Sequence, residues 1–272
     1  MRELKDQIKI AAFDVDGTIL PYGNTSFGNK TIEMFSLLKD AGYKTVISSA
    51  REFSTIGNFL EVLKPDYFIG ANGSFIYDVE KDSVLEEHSL KSEDVSNIVS
   101  NFLDKVVGFV VTHGKFSYYT QGVELNSWFV KPNIQNYKEL NLEELKNSQD
   151  KTYLITVTSE NPKEDAKHFQ EYIENNNLDM VVNSVWTHGF FIAPQGVTKS
   201  STLKNLTEKL GLSMDNLIAF GDSSNDYEML RDAFYGVAME RASQRIKSVA
   251  NDVALDCEYD GAYLKLKELK LI

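Results

Sequence analysis

A chain of 272 residues, 42% hydrophobic and 11% aromatic, is long enough for one large α/β domain or two smaller ones and too apolar for disorder. Its formal charge is -12, with no Lys/Arg block to offset the acidic excess, so the basic surface that a phosphate backbone requires is missing and no nucleic-acid partner is expected. The N-terminus passes from a short charged segment straight into an apolar run, and no apolar stretch is long enough to cross a bilayer, so the expectation is a soluble cytoplasmic protein without membrane contact.

The run from Ile8 to Phe13 reads as a buried strand that breaks abruptly into Asp14-Val15-Asp16-Gly17-Thr18. Strand side chains alternate faces, but a chain leaving a sheet at a glycine can turn two carboxylates toward one crevice. Thr31 to Ala41 follows as a helix with Ile32, Phe35, Leu38 and Ala41 on one face, then a strand from Tyr43 to Ile47 ending in Ser48-Ser49-Ala50-Arg51. Phe53 to Leu63 is expected to be helical, stopped by Pro65. Tyr67 to Gly70 is a third strand, and Asn72-Gly73 leads into a hairpin of Phe75 to Tyr77 and Val84 to Glu86.

Near Leu90 the pattern changes. A helix around Glu93 to Asp104 precedes alternating runs at Val107 to Thr112 and Phe116 to Thr120, a polar loop-rich stretch from Gln121 to Asp150, and a strand at Tyr153 to Thr158. A helix from Pro162 to Asn175 and a strand from Met180 to Val185 complete an inserted α+β region. Phe190-Phe191-Ile192 is expected to resume the first domain, followed by a helix from Ser200 to Leu210 and the apolar run Leu217 to Phe220, which breaks into Gly221-Asp222-Ser223-Ser224-Asn225-Asp226. Alternating strands and helices imply a doubly wound, mainly parallel, Rossmann-like α/β core. The expected division is a core of residues 1–84 and 187–272 with an inserted α+β cap of residues 85–186.

Two acidic segments at strand ends would repel unless a hard cation neutralised them, and Mg²⁺, with its preference for oxygen ligands, is the natural cofactor. Lys199 could pair with one of these carboxylates and with a transferring phosphoryl group. A nucleotide-binding P-loop is excluded, since Thr198 rather than Gly precedes Lys199. The four histidines lack metal-ligand spacing, and Cys257, the lone cysteine, is expected to be a small buried or half-buried side chain.

In this order, Asp14-x-Asp16-Gly17-Thr18, the strand-end Ser49, Lys199 and Gly221-Asp222-x-x-Asn225-Asp226 resemble the haloacid dehalogenase superfamily. The insertion after Asn72-Gly73, with Ala238-Met239 and Asp260-Gly261 late in the chain, is similar to its Cof-type branch with an α/β cap. The resemblance implies a Mg²⁺-dependent phosphatase whose partner is a small phosphate ester. It implies Asp14 as nucleophile, Asp16 as general acid and base, and Ser49 and Lys199 as phosphate contacts. Gly17, Thr18, Arg51, Asn72 and Asn225 are candidate phosphate or substrate contacts, and Asp14, Asp16 (through its carbonyl), Asp222 and Asp226 candidate metal ligands. A phosphotransferase or mutase using the same intermediate, or a non-catalytic phosphate sensor, are the alternative readings.

Three departures stand out. Ser49-Ala50-Arg51 replaces the family's Thr-Gly-Arg, Ser200 replaces a Gly, and Glu240-Arg241-Ala242 replaces Gly-Asn-Ala, so that Arg241 brings a charge the pattern lacks. In the cap, His113, Lys115, Tyr118, Tyr119, Trp128 and His188 are polar or aromatic, yet each is expected to serve packing or surface rather than a ligand.

Overall fold

The computed structural model describes residues 4–272 and divides into two compact units: residues 4–50, 58–86 and 198–272 form one, and residues 51–57 and 87–197 the other. In chain order the strands are β1 Ile10–Phe13, β2 Lys44–Ser48, β3 Tyr67–Gly70, β4 Phe75–Asp78, β5 Ser83–Glu87, β6 Gly108–His113, β7 Phe116–Tyr119, β8 Tyr137–Glu139, β9 Thr152–Thr158, β10 Met180–Trp186, β11 Gly189–Pro194, β12 Leu217–Gly221, β13 Tyr235–Met239 and β14 Asp252–Ala254.

The first unit holds an eight-stranded sheet in the order β14-β13-β12-β1-β2-β3-β4-β5. Its six strands from β14 to β3 are parallel, and β4 returns antiparallel beside β3. Both faces of β1 are buried. Ile10 and Ala12 join Leu203 and Leu206 of helix Lys199–Lys209 in one core cluster, whereas Phe13 stacks on Phe220 and meets Phe35 of helix Asn29–Asp40. Such two-sided cover explains why β1 is a continuous apolar run rather than an alternating one. On helix Asn29–Asp40 the buried face is Met34, Phe35 and Leu38; Ile32 and Ala41, expected on it, are exposed. The chain lays down β2 and β3 on one side of β1 and later β12 on the other. The gap between the carboxyl ends of β1 and β12 is therefore a topological switch point, where sheets of this kind bind ligands.

The second unit carries a six-stranded sheet, β10-β11-β9-β6-β7-β8, antiparallel except where β8 runs parallel to β7. Helices Ser92–Phe102 and Pro162–Asn175 contribute Val95, Ile98, Val99, Phe102, Ala166, Phe169 and Ile173 to a core shared with Phe109, Ile155 and Phe190 of the sheet. Phe169 sits at its centre, stacked on Phe102 at 3.9 Å between centroids and edge-on to Phe190 at 5.0 Å.

Three sequence expectations need correction. Phe190 to Ile192 does not return to the first sheet: β11 pairs with β9 and β10 after the tight turn at Thr187-His188, which carries the second unit to Val197 instead of 186. The expected helix over Phe53 to Leu63 forms only from Phe59 to Leu63. Its first turns are lost because the Glu52 carboxylate accepts from Ser54 N and Oγ and from Thr55 Oγ1, a local alternative to helical bonding that places residues 51–57 in the second unit. Within the loop-rich stretch, β8 and a short helix, Leu142–Asn147, capped by Asn141, give local order.

Candidate active site

The chemistry-bearing residues of the first unit gather at the carboxyl ends of its parallel strands. Asp14 directly follows β1, and its N–H donates to Phe220 O at 3.0 Å, so the first acidic segment starts level with the end of β12. Asp222 follows β12. One ligand oxygen from each of Asp14, Asp222 and Asp226 lies within 4.8 Å of the others, and all three residues are buried.

Lys199 is held among them by its helix. Thr198 caps helix Lys199–Lys209 through a reciprocal pair of bonds with Ser201, which makes Lys199 the first helical residue and turns its side chain inward. Lys199 is 1% exposed, and its ammonium donates to Asp14 Oδ1 at 2.6 Å and to Asp226 Oδ1 at 2.7 Å. Burial opposes that charge, but the two carboxylates outweigh burial and raise the Lys199 pKa. Asp226 is fully engaged: Oδ2 accepts the Asp222 and Ser223 N–H groups, both at 3.0 Å. A Cβ at Gly221 would lie 2.5 Å from Asp226 Cβ, so glycine alone lets this carboxylate tuck beneath the loop.

Asp14 and Asp222 are electrostatically strained. Burial pushes Asp14 well above the usual carboxylate range, Asp226, Asp222 and Asp16 push it further, and Lys199 opposes them. Burial and Asp226 push Asp222 up to about 7, against Tyr22, Lys199 and Arg241. A single ammonium does not balance this cluster. Hard carboxylate oxygens that destabilise one another where they are buried are a donor set suited to Mg²⁺, and the residues present fit that ion.

Around the carboxylates, Thr18 Oγ1 donates to Asp222 Oδ1 at 3.4 Å and Tyr22 Oη to Asp222 Oδ2 at 3.0 Å. Gly17, at φ +88°, lies where a Cβ would be 2.4 Å from Asp222 Oδ2, so this turn closes only around glycine. Ser49 is buried at the end of β2; its N–H donates to Ile69 O and its carbonyl accepts from Asn72 N. Asn72, in the left-handed region at φ 58°, accepts a bond from Asn225 Nδ2 at 2.9 Å, while its own Nδ2 is buried with no hydrogen-bond partner among the described residues. Thr202 Oγ1 donates to Gly73 O at 2.7 Å and ties this turn to the Lys199 helix.

Asp14, Ser49, Asn72, Lys199, Asp222, Asn225 and Asp226 thus meet on adjoining ends of the first sheet, and Asp16, Gly17 and Thr18 lie on the loop leaving β1. Arg51 lies in the second unit, where it donates to Thr55 O at 2.7 Å and its guanidinium rests 4.5 Å from the Phe129 ring centroid. Tyr22 escaped the sequence reading, because Pro21-Tyr22-Gly23 looks like any turn and nothing local couples residue 22 to residue 222.

A family model described as haloacid dehalogenase-like hydrolase matches residues 11–266. The chain belongs to this family, and it is an enzyme. It is 28% identical over 274 residues to a 5-amino-6-(5-phospho-D-ribitylamino)uracil phosphatase of Bacillus subtilis, covering 95% of this chain and 96% of that protein. A pyridoxal phosphate phosphatase of Escherichia coli is 27% identical over 262 residues, with 93% and 95% covered. Among solved structures, a sugar phosphatase of haloacid dehalogenase subclass IIB superposes with a TM-score of 0.84 at 22% identity over 97% of this chain and all of that one, a likeness of fold.

Proposed function

We propose that this enzyme is a Mg²⁺-dependent phosphatase of small phosphorylated metabolites that works through an aspartyl-phosphate on Asp14. The observation that carries the reading is Asp14 at the β1/β12 switch point, buried, bonded to Lys199 and within ligand distance of Asp222. The named relatives act on a phosphorylated ribitylaminouracil and on pyridoxal phosphate, which supports an organic phosphate monoester of similar size as substrate.

Asp14, Asp222 and the carbonyl of Asp16 would hold the cation, which when bound supplies charge neutralisation between carboxylate and phosphate and orients the ester. Asp226 belongs to the support of the site, since Lys199 and two backbone N–H groups already occupy its oxygens. Lys199 favours the carboxylate form of Asp14 against the burial that opposes it, and presents positive charge to the phosphoryl oxygens. The Asn72 amide, kept in place by Asn225, offers a buried donor that a phosphoryl oxygen would satisfy; such a donor left unpaired costs about 1–3 kcal/mol.

An Asp14 oxygen attacks phosphorus as the ester P–O bond breaks, and Asp16 gives its proton to the departing alkoxide. Asp16 then takes a proton from a water that attacks the same phosphorus, releasing inorganic phosphate and restoring the Asp14 carboxylate. Hydrolysis of para-nitrophenyl phosphate with Mg²⁺ and with chelator, beside Asp14→Asn, tests the reading. Metal-dependent turnover abolished by the substitution is expected. Turnover that survives Asp14→Asn would sink the assignment, and product analysis with an added acceptor alcohol separates hydrolysis from transfer.

A further inference from the structure

We infer that Tyr22 is a positioning residue for the cation site: its hydroxyl fixes the rotation of the Asp222 carboxylate and leaves Oδ1 as the ligand oxygen. The inference rests on the proposed role of Asp14 and Asp222 as cation ligands. Tyr22 Oη occupies Oδ2 at 3.0 Å, while Oδ1 has the longer, 3.4 Å contact from Thr18. The two oxygens of one carboxylate are thereby made unequal. Without the tyrosine hydroxyl the plane of the Asp222 carboxylate can turn about its last bond, a broad torsion, away from the orientation that leaves Oδ1 available.

The tyrosine ring is itself held. One edge lies against Gly17, where a Cβ would come 2.8 Å from Tyr22 Cε2, so the glycine that shapes the first acidic turn also admits the ring. On the ring lies Arg241, its guanidinium carbon 5.5 Å from the centroid. Arg241 is anchored by Asp256, 3.3 Å from its Nε and accepting its backbone N–H at 2.7 Å, and by the Glu258 carboxylate. An anchored guanidinium over an aromatic face restrains the ring. Arg241 is also the charge that departs from the family's Gly-Asn-Ala. The departure and the tyrosine are two parts of one device: Asp256 and Glu258 hold Arg241, Arg241 covers Tyr22, and Tyr22 orients Asp222.

Partners one bond removed from a metal ligand typically alter metal affinity by about 10–100-fold. Titrating Mg²⁺ into chelator-stripped full-length protein by calorimetry, without substrate, reads this directly. Tyr22→Phe keeps the ring and removes only the hydroxyl, so it is expected to weaken Mg²⁺ binding at least about tenfold while Tm in chelator stays at the wild-type value. Arg241→Met should weaken binding in the same direction by a smaller factor. Wild-type Mg²⁺ affinity in Tyr22→Phe overturns the inference, whatever happens to Tm. Asp222→Asn separates the two levels: if it too binds Mg²⁺ like the wild type, the cation site itself is misassigned. If it loses binding while Tyr22→Phe does not, only the role of Tyr22 falls.

Discussion

Both units bury titratable side chains, but they satisfy them in opposite ways. In the first, Lys199, Asp14, Asp222 and Asp226 come from three distant stretches of chain and neutralise one another at strand ends, leaving Asp14 and Asp222 strained. In the second, Glu52 and His113 are equally buried but are bonded by hydroxyls and a backbone N–H rather than by an ion pair: Glu52 accepts from Ser54 N and from the Ser54, Thr55 and Ser117 hydroxyls, and His113 Nδ1 faces Thr152 Oγ1 at 2.9 Å. Burial moves both of those groups toward their neutral forms, Glu52 upward and His113 downward. Burial of a charge is therefore no mark of chemistry by itself. Convergence of opposite charges that leaves a surplus is a better one.

The sharpest way to break this contrast is Asp14→Asn. The amide oxygen can still accept from Lys199, so the fold should hold, yet turnover should fall by at least about 10⁴-fold, the scale on which members of a catalytic unit fail. Loss of activity accompanied by unfolding would mean that the cluster is structural, as in the second unit. Lys199→Met comes next. It strands two buried carboxylates without their cation, a change that costs about 3–5 kcal/mol in denaturant unfolding with chelator present. Mg²⁺ should return part of that loss. Equal loss with and without Mg²⁺ would show that the carboxylates do not share a cation site. Gly17→Ala follows at about 1–3 kcal/mol, because φ +88° disfavours any Cβ and the methyl would meet Asp222 Oδ2 and the Tyr22 ring. It should also weaken Mg²⁺ binding; unchanged stability would mean that the turn relaxes freely.

Much of the first unit was legible from local pattern. Apolar runs broken by acidic turns marked β1 and β12, and the order of Asp14, Ser49, Lys199 and Asp222 carried the family. Short-range competition was harder to read. The helical spacing of Phe53 to Leu63 is genuine, but Glu52 offers Ser54 and Thr55 a nearer partner than the next helical turn. β11 was placed in the wrong sheet because a run buried on both faces looks the same in either domain, and only its pairing with β9 and β10 distinguishes them. β14, with three residues, is too short to stand out from its surroundings. Tyr22 and Arg241 illustrate the remaining limit, since their meaning lies in contacts spanning some 200 residues of chain.

The smallest effect tests the second unit on its own terms. The raised pKa of Glu52 means that the folded chain holds this proton more tightly than the unfolded one. Its contribution to stability is complete below the unfolded value of about 4.3 and is lost as pH climbs through the folded value. Glu52→Gln removes the titration while keeping the packing. Its Oε1 can accept from Ser54 N, and its two amide N–H groups can donate to the Ser54 and Thr55 hydroxyls, which rotate to accept. The substitution should stay within about 1 kcal/mol of the wild type at acidic pH. The difference in Tm, variant minus wild type, should then grow from pH 4 to pH 8, because the wild type alone must bury a charge there. A difference that shrinks over that range would mean that Glu52 is stabilised as a carboxylate, and the second unit would then contain a charge-holding site of the kind assigned here only to the first.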